Sequence, residues 1–401
     1  MKKICLLLTL CLVMTACSAF AEEKTDVSAL IKQILEIFDS GEYVPAIPLI
    51  QEAAEAGDPQ GQFWLGNCYS MGIGVEQDDS KAAEYYMLSA EQGNAMAQYS
   101  LGFCYLDGTG VEQDAEKAEA YLTLAAEQDD YEAQYALGYI YLNGEGLEQD
   151  YAKAVKYLQM AADQGYGPAD YYLGLCYENA WGVEQDAAKA AEYYLAAAEQ
   201  RIDAAQYKLG VMYQLGNGVE QDYDKAFEYY SLAAEQEYPE ALTAVGFFYN
   251  SGFGTEQDYD KMLEYYTKAA ELGEPMAMFN LGCCYRDGRG VEQDYAEMLK
   301  YFEAAVELGN ANAQFNLGFA YYVGEGVEVD YDEAFRLFRL AAEQEFPVAM
   351  FATGDCYYLG TGVEKDLEAA AEWYRKSLDA GYEPDEEDQK HLAEVIGWTG
   401  E

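Results

Sequence analysis

The sequence predicts an all-α protein, an α-solenoid of stacked antiparallel helix pairs built from nine 36-residue repeats with a cap at each end. Three observations carry this. Gly66, Gly102, Gly138, Gly174, Gly210, Gly246, Gly282, Gly318 and Gly354 follow one another at intervals of 36 residues without an insertion or deletion. A Tyr stands three residues after each of them, from Tyr69 to Tyr357. A turn such as Gly108-Thr109-Gly110-Val111-Glu112-Gln113-Asp114 recurs in the same register, and the apolar side chains flanking it share one helical face.

Taken in order, residues 1–21 read as an export signal. Lys2 and Lys3 give a positive start, Ile4 to Met14 form an apolar run too short to span a bilayer, and Ala19-Phe20-Ala21 offers a cleavage site before Glu22. A second reading stands beside it: Met14-Thr15-Ala16-Cys17 is similar to a bacterial lipobox and would leave Cys17 lipidated. Either way the mature chain is exported, as a periplasmic or secreted protein or an outer-membrane lipoprotein. Residues 22–57 read as an N-terminal capping helix pair, 58–381 as the nine repeats and 382–401 as a C-terminal capping helix.

Within a copy the first helix, such as Asn94 to Leu106, carries Ala97, Leu101, Cys104 and Tyr105 on one face. Pro59, Pro239, Pro275 and Pro347 fall in its first turn, where a missing N–H is tolerated. The glycine turn stops it, and the repeated Asp, from Asp78 through Asp114 to Asp366, caps the second helix. That helix buries Ala118, Tyr121, Leu122, Ala125 and Ala126, and Gly57, Gly93, Gly165, Gly273, Gly309 and Gly381 end several copies.

The pattern resembles the Sel1-like repeat family, a relative of the tetratricopeptide repeats. Ala97, Leu101, Gly102, Tyr105, Gly108, Gly110, Val111, Asp114, Lys117 and Ala118 carry the likeness in one copy, and it extends over residues 58–380. Ala180 in place of a turn Gly, Thr255 of a Val and Thr353 of a Leu are the departures. The resemblance implies a right-handed superhelix whose first helices line the concave side, a groove for a protein or peptide partner, and a role as scaffold or adaptor. Some cysteine-rich relatives have been ascribed penicillin-directed activity. A secreted hydrolase acting on β-lactam or cell-wall material is therefore one alternative, and a host-interacting secreted factor another.

Composition narrows the partners. With 23 Lys+Arg against 73 Asp+Glu, the formal charge is −50, which argues against nucleic acid and anionic membrane surfaces and favours a neutral or basic protein or peptide. The Gly-x-Gly turn is not a phosphate loop, because no strand precedes it and acids follow it. Its acids lack the spacing of a calcium loop, and Lys81, Lys117, Lys153, Lys189, Lys225 and Lys261 are placed to neutralise them. His391 is the sole histidine, so a multi-histidine metal site is excluded; no cofactor, metal or catalytic residue is expected. Cys68, Cys104, Cys176, Cys284 and Cys356 share one apolar repeat position and are expected to be buried and unpaired; Cys283, one residue away, is the candidate reactive thiol.

Comparing copies also separates what the scaffold fixes from what varies. The variable positions of the first helix, two before, one after and five after its Gly, fall on one stripe opposite the packed side. The stripe holds Trp64, Phe103, Tyr139, Tyr172, Leu175, Lys208, Val211, Phe247, Asn280, Asn316 and Phe319, the candidate partner-binding residues. Exposed aromatics in a row ask for a ligand, and Asn280 and Asn316 could bond an extended backbone. The competing reading is that curvature packs these side chains against neighbouring first helices.

Overall fold

The computed structural model of the chain describes residues 26–39 and 44–398; the export signal and Cys17 lie outside them. Twenty-one α-helices run from Val27–Asp39 to Glu386–Ile396, with no strand among the described residues. The chain divides into two compact units, up to Ala197 and from Ala198. Within each, a first helix packs on the second helix of its own copy, and that helix on the first helix of the next. Ala95–Asp107, Ala115–Ala126 and Tyr131–Asn143 form one such run in the first unit.

Local chemistry accounts for the boundaries. In the nine copies the repeated Asp sits extended at the N-cap of the second helix and accepts from a backbone N–H of its first turn, as Asp114 does from Lys117 at 3.1 Å. The first helix ends on a left-handed residue, and Ala180, with φ 59°, takes that conformation where other copies have Gly. Asp129, Arg201, Glu237 and Glu345 are left-handed too, with φ between 60° and 64°. They occupy the register of Gly57 and Gly93, so repeat geometry imposes this backbone even on residues that resist it. The second glycine of the turn seats the copy on its predecessor: a Cβ at Gly110 would run into the Asp79 carbonyl, and one at Gly254 into that of Tyr223.

The repeated first-helix glycine sets the distance inside each pair. A Cβ at Gly210 would lie 2.5 Å from the Tyr230 ring, and one at Gly102 would lie 2.6 Å from Leu122. Tyr86, Leu158, Tyr194, Tyr266, Phe302, Phe338 and Tyr374 meet the remaining glycines in the same way. Where the arriving side chain is Tyr, its buried hydroxyl needs a partner. Tyr86 donates to Asn67 at 2.7 Å, Tyr194 to Glu178 at 2.5 Å and Tyr230 to Gln214 at 2.7 Å. Around these contacts Ala97, Leu101, Ala118, Leu122, Ala125 and Ala126 are completely buried.

Two polar ladders run along the stack. Gln92 donates to Gln62, Gln128 to Gln98 and Gln164 to Gln134 in the first unit, Gln236 to Gln206 and Gln344 to Gln314 in the second, all within 2.9 Å. Asp170 takes the place of the buried Gln in one copy, and desolvation, with Asp163 nearby, lifts its carboxyl from the ordinary 3.8 up to about 6. The second ladder is on the surface. The repeat Tyr stacks on a second-helix Tyr, as Tyr105 on Tyr121 with centroids 5.8 Å apart, and Lys117 lies 5.0 Å from the Tyr105 centroid. Lys81, Lys153, Lys189, Lys225 and Lys261 repeat this over Tyr69, Tyr141, Tyr177, Tyr213 and Tyr249. Lys81, Lys117 and Lys225 also reach the capping Asp, within 4.0 Å.

Gly210→Ala is expected to lower stability by about 1–3 kcal/mol in a denaturant melt, because the clash starts near the ring base and overpacking outweighs the gain in helix propensity. Asp170 yields a pH signature. Between the ordinary 3.8 and about 6 the folded chain holds a proton that the unfolded chain has released, so stability falls as pH rises through that window and stays lower above it. Asp170→Gln should therefore match the parent at pH 3.5 and exceed it increasingly up to neutrality, read as the difference between the two melting curves.

Candidate partner-binding face

The first helices turn away from the buried interface a face made of the variable positions. The fold brings the stripe residues together in small groups. In the second unit Val211, Phe247 and Asn280, from the helices Asp203–Leu215, Pro239–Ser251 and Pro275–Asp287, line one depression of about 420 Å³. Tyr207, Glu240, Thr243 and Met276 complete its walls. Phe247 is 39% exposed, whereas Phe248 beside it is completely buried, so consecutive phenylalanines divide between surface and core. Thr243 is held by Glu274 at 2.9 Å and by the Pro239 carbonyl at 3.1 Å, which fixes the floor.

Elsewhere the stripe departs from the expected row of exposed aromatics. Phe103 is half-buried with its ring 5.0 Å from Tyr99, and lines a separate depression of about 350 Å³ with Ser100 and Asp107. Tyr139 and Tyr172, on the helices Tyr131–Asn143 and Gly167–Asn179, are both half-buried and meet edge to face at 5.3 Å. Tyr135 lies 5.2 Å from Tyr166 and 5.9 Å from Tyr172, so this stretch is a cluster of packed tyrosines. Here the first helices approach closely enough for stripe residues of successive copies to cover one another. Trp64, Leu175 and Lys208 are half-buried as well. Phe319, 47% exposed, is the other openly presented aromatic of the stripe.

Asn316 also departs from expectation. Its carboxamide oxygen accepts from Arg286 at 2.9 Å and its nitrogen donates to the Asn312 carbonyl at 2.8 Å, so its hydrogen bonds are directed to its own chain. Asn280 lies on the wall of the depression. Asn67 and Asp355, in the stripe register, are bonded to Tyr86 and Tyr374.

The thiols among the described residues are unpaired. Cys68, Cys104, Cys176, Cys284 and Cys356 are buried and free, and burial pushes Cys104 and Cys356 up to about 11 and Cys176 and Cys284 up to about 12. Cys283, singled out as the reactive candidate, is half-buried, and desolvation pushes it up to about 11 against the opposing pull of Arg286 and Arg289. It is therefore a thiol rather than a thiolate at neutral pH, and its reactivity is that of a packed side chain.

At the C-terminal end one polar cluster escaped the sequence reading. His391 Nδ1 lies 2.9 Å from Asp355 Oδ1, which also accepts from the Tyr374 hydroxyl at 2.6 Å. Burial raises the Asp355 carboxyl, while these two hydrogen bonds act against the rise. The three residues dock the helix Glu386–Ile396 on the last repeat. The position of Asp355 in the stripe and the singular His391 were the available signals, but only the fold joins them.

Comparison with known proteins follows the same register. The family model described as Sel1 repeat matches residues 59–94, 95–130, 132–166, 167–201, 203–238, 239–274, 275–310, 311–346 and 347–382. Among solved structures, c5321, described as a protective antigen present in uropathogenic Escherichia coli strains displaying an SLR fold, is similar over 92% of this chain and 93% of its own. Its identity is 27% and its TM-score 0.63. A Sel1 repeat protein from Oxalobacter formigenes is 34% identical over 75% of this chain and 88% of its own, with a TM-score of 0.62. No curated protein matches. No helix among the described residues is long and apolar enough to cross a membrane.

For the folded protein, iodoacetamide at pH 8 is expected to modify Cys283 no more than about threefold faster than Cys284, and all six described thiols should react together once it is unfolded. Peptide mapping by mass spectrometry reads both.

Proposed function

Because the chain belongs to the Sel1 repeat family, whose stacked helix pairs generally serve as protein–protein interaction scaffolds, we propose that it is an exported scaffold or adaptor holding a segment of another protein on its first helices. The observation that supports this most is the depression in the second unit, where Val211, Phe247 and Asn280 from three successive copies converge. It sets the apolar side chains of Val211 and Phe247 beside the Asn280 carboxamide, the chemistry with which an extended segment is held by its side chains and its backbone at once. Glu240 in the wall and a chain charge of −50 favour a neutral or basic segment. Export rests on the N-terminal sequence from Lys2 to Ala21. A host-facing role for the same surface is the second reading, and it draws on the likeness to c5321, described as a protective antigen.

A photo-crosslinking side chain at position 247 tests the surface in the organism's own envelope. It should yield a discrete adduct, while the same side chain at Leu232, an exposed second-helix position, should yield none. Equal labelling at both would overturn the reading. Stability supplies the companion measurement. Phe247→Ser should change it by no more than about 0.5 kcal/mol, whereas Phe248→Ala should cost about 3–5 kcal/mol. A large loss for Phe247→Ser would assign that ring to the core.

A further inference from the structure

The last two repeats and the terminal helix line a further, open-sided cavity of about 170 Å³, and its chemistry differs from that of the depression around Phe247. Five aromatic residues, Phe315, Phe319, Tyr322, Phe338 and Phe351, form most of its walls, with Val348, Ala352 and Cys356 between them. Asp355 and Asp388 bring two carboxylates to the same lining, and neither Lys nor Arg is part of it. The volume slightly exceeds that of a cavity of about 150 Å³ that holds benzene, so there is room for one planar group and its stem.

Both carboxylates are held by one oxygen only. Asp355 accepts from Tyr374 and His391 on Oδ1. Asp388 accepts from the Tyr382 hydroxyl at 2.7 Å and the Asp385 N–H at 3.1 Å, both on Oδ2. The other oxygen of each has no hydrogen bond among the described residues. The rings are fixed as firmly: Phe315 packs on Phe338 at 5.6 Å and on Phe346 at 5.9 Å, and Phe351 on Tyr374 at 4.9 Å. Phe319, 47% exposed, stands at the open side.

An aromatic box with fixed carboxylates recognises a cation. The ring faces attract positive charge, and the carboxylates supply acceptors that a neutral guest would leave unpaired. A planar guanidinium suits this lining better than an ammonium. It stacks on aromatic faces, sheds water more readily and presents several donors in one plane. We propose that this cavity takes an arginine side chain of the partner segment. The inference rests on the reading that the first helices hold a partner, and it names the residue that anchors such a segment at the last two repeats.

The test uses the full mature chain and three fluorescein-labelled tripeptides, Ala-Arg-Ala, Ala-Lys-Ala and Ala-citrulline-Ala, followed by anisotropy at pH 8 in 0.15 M salt. The arginine peptide should bind about tenfold tighter than the citrulline peptide and measurably tighter than the lysine peptide. Phe319→Ser should weaken it about fivefold, and Asp388→Asn should do so at least as much. Leu232→Ser, at an exposed second-helix position outside both concavities, should leave it unchanged. Because Asp388 also helps cap the terminal helix, the loss counts only where a melt shows that helix still docked; Phe319→Ser, at an exposed position, carries the test otherwise. Equal binding of the arginine and citrulline peptides, or indifference to Phe319→Ser, would overturn the proposal. Arginine binding without a crosslink at position 247 sinks the scaffold reading and leaves the cavity standing. A crosslink without arginine binding does the reverse.

Discussion

A hydrogen atom at one position of each first helix sets the spacing on which the repeats depend. Gly66 and its eight counterparts accept the side chain of Tyr86, Leu122, Leu158, Tyr194, Tyr230, Tyr266, Phe302, Phe338 or Tyr374 where a Cβ would come within 3.0 Å of it. The guest can change between Tyr, Leu and Phe because the site asks for bulk and flatness; the host cannot, because even a methyl is too large. The choice of guest has consequences on the other side of the helix. Tyr86, Tyr194, Tyr230 and Tyr374 each bring a hydroxyl, and Asn67, Glu178, Gln214 and Asp355 answer it from the first helix. Leucine and phenylalanine make no such demand. Part of the variation along the first helices therefore reflects internal satisfaction rather than contact with a partner.

That distinction decides how much the sequence could reveal. Period, caps and turns were legible because each is a local rule: a side chain bonding its own helix start, or a glycine reversing φ at a fixed place. The shared cysteine position was legible by its apolar replacements, and the five thiols are buried and unpaired. The reason for the central glycine was not, since it lies in the partner side chain on the next helix. The stripe failed in part for a related reason. A turn of 100° per residue identifies a face but not how near the neighbouring first helix comes, and Tyr139 against Tyr172 shows that it comes within ring contact. That Arg286 reaches Asn316 from the preceding copy could not be read from the spacing either. The left-handed Asp129, Arg201, Glu237 and Glu345 could have been found by carrying the register of Gly57 forward.

Charge is arranged with the same economy. Six lysines each lie over the repeat tyrosine of their copy, and several also reach the capping aspartate, so these cations stabilise the turn that stacks one copy on the next. In the later copies the register holds Glu297 and Glu333 instead, and Lys300 and Arg336 pair with them one turn along. Each pair is exposed and individually worth little. The repetition of the six lysine–tyrosine contacts matters more for register than for total stability, since each ties a first-helix ring to the start of the second helix.

A chain charge of −50 acts on a partner differently at long and short range. At physiological ionic strength the field of exposed acids fades over about 8 Å, so it speeds the encounter of a basic segment without selecting where that segment settles. Selection has to come from contacts inside that distance, and these are scarce on a surface dominated by carboxylates. The openly presented aromatics of the stripe, Phe247 and Phe319, each stand beside a concavity with polar groups in its wall. One concavity pairs apolar contact with a carboxamide, the other pairs aromatic faces with carboxylates. A segment engaging both gains from each through the other, because the first contact raises the effective concentration of the second. On the proposed reading, such a surface would discriminate by the spacing of two side chains along the partner rather than by the strength of either contact.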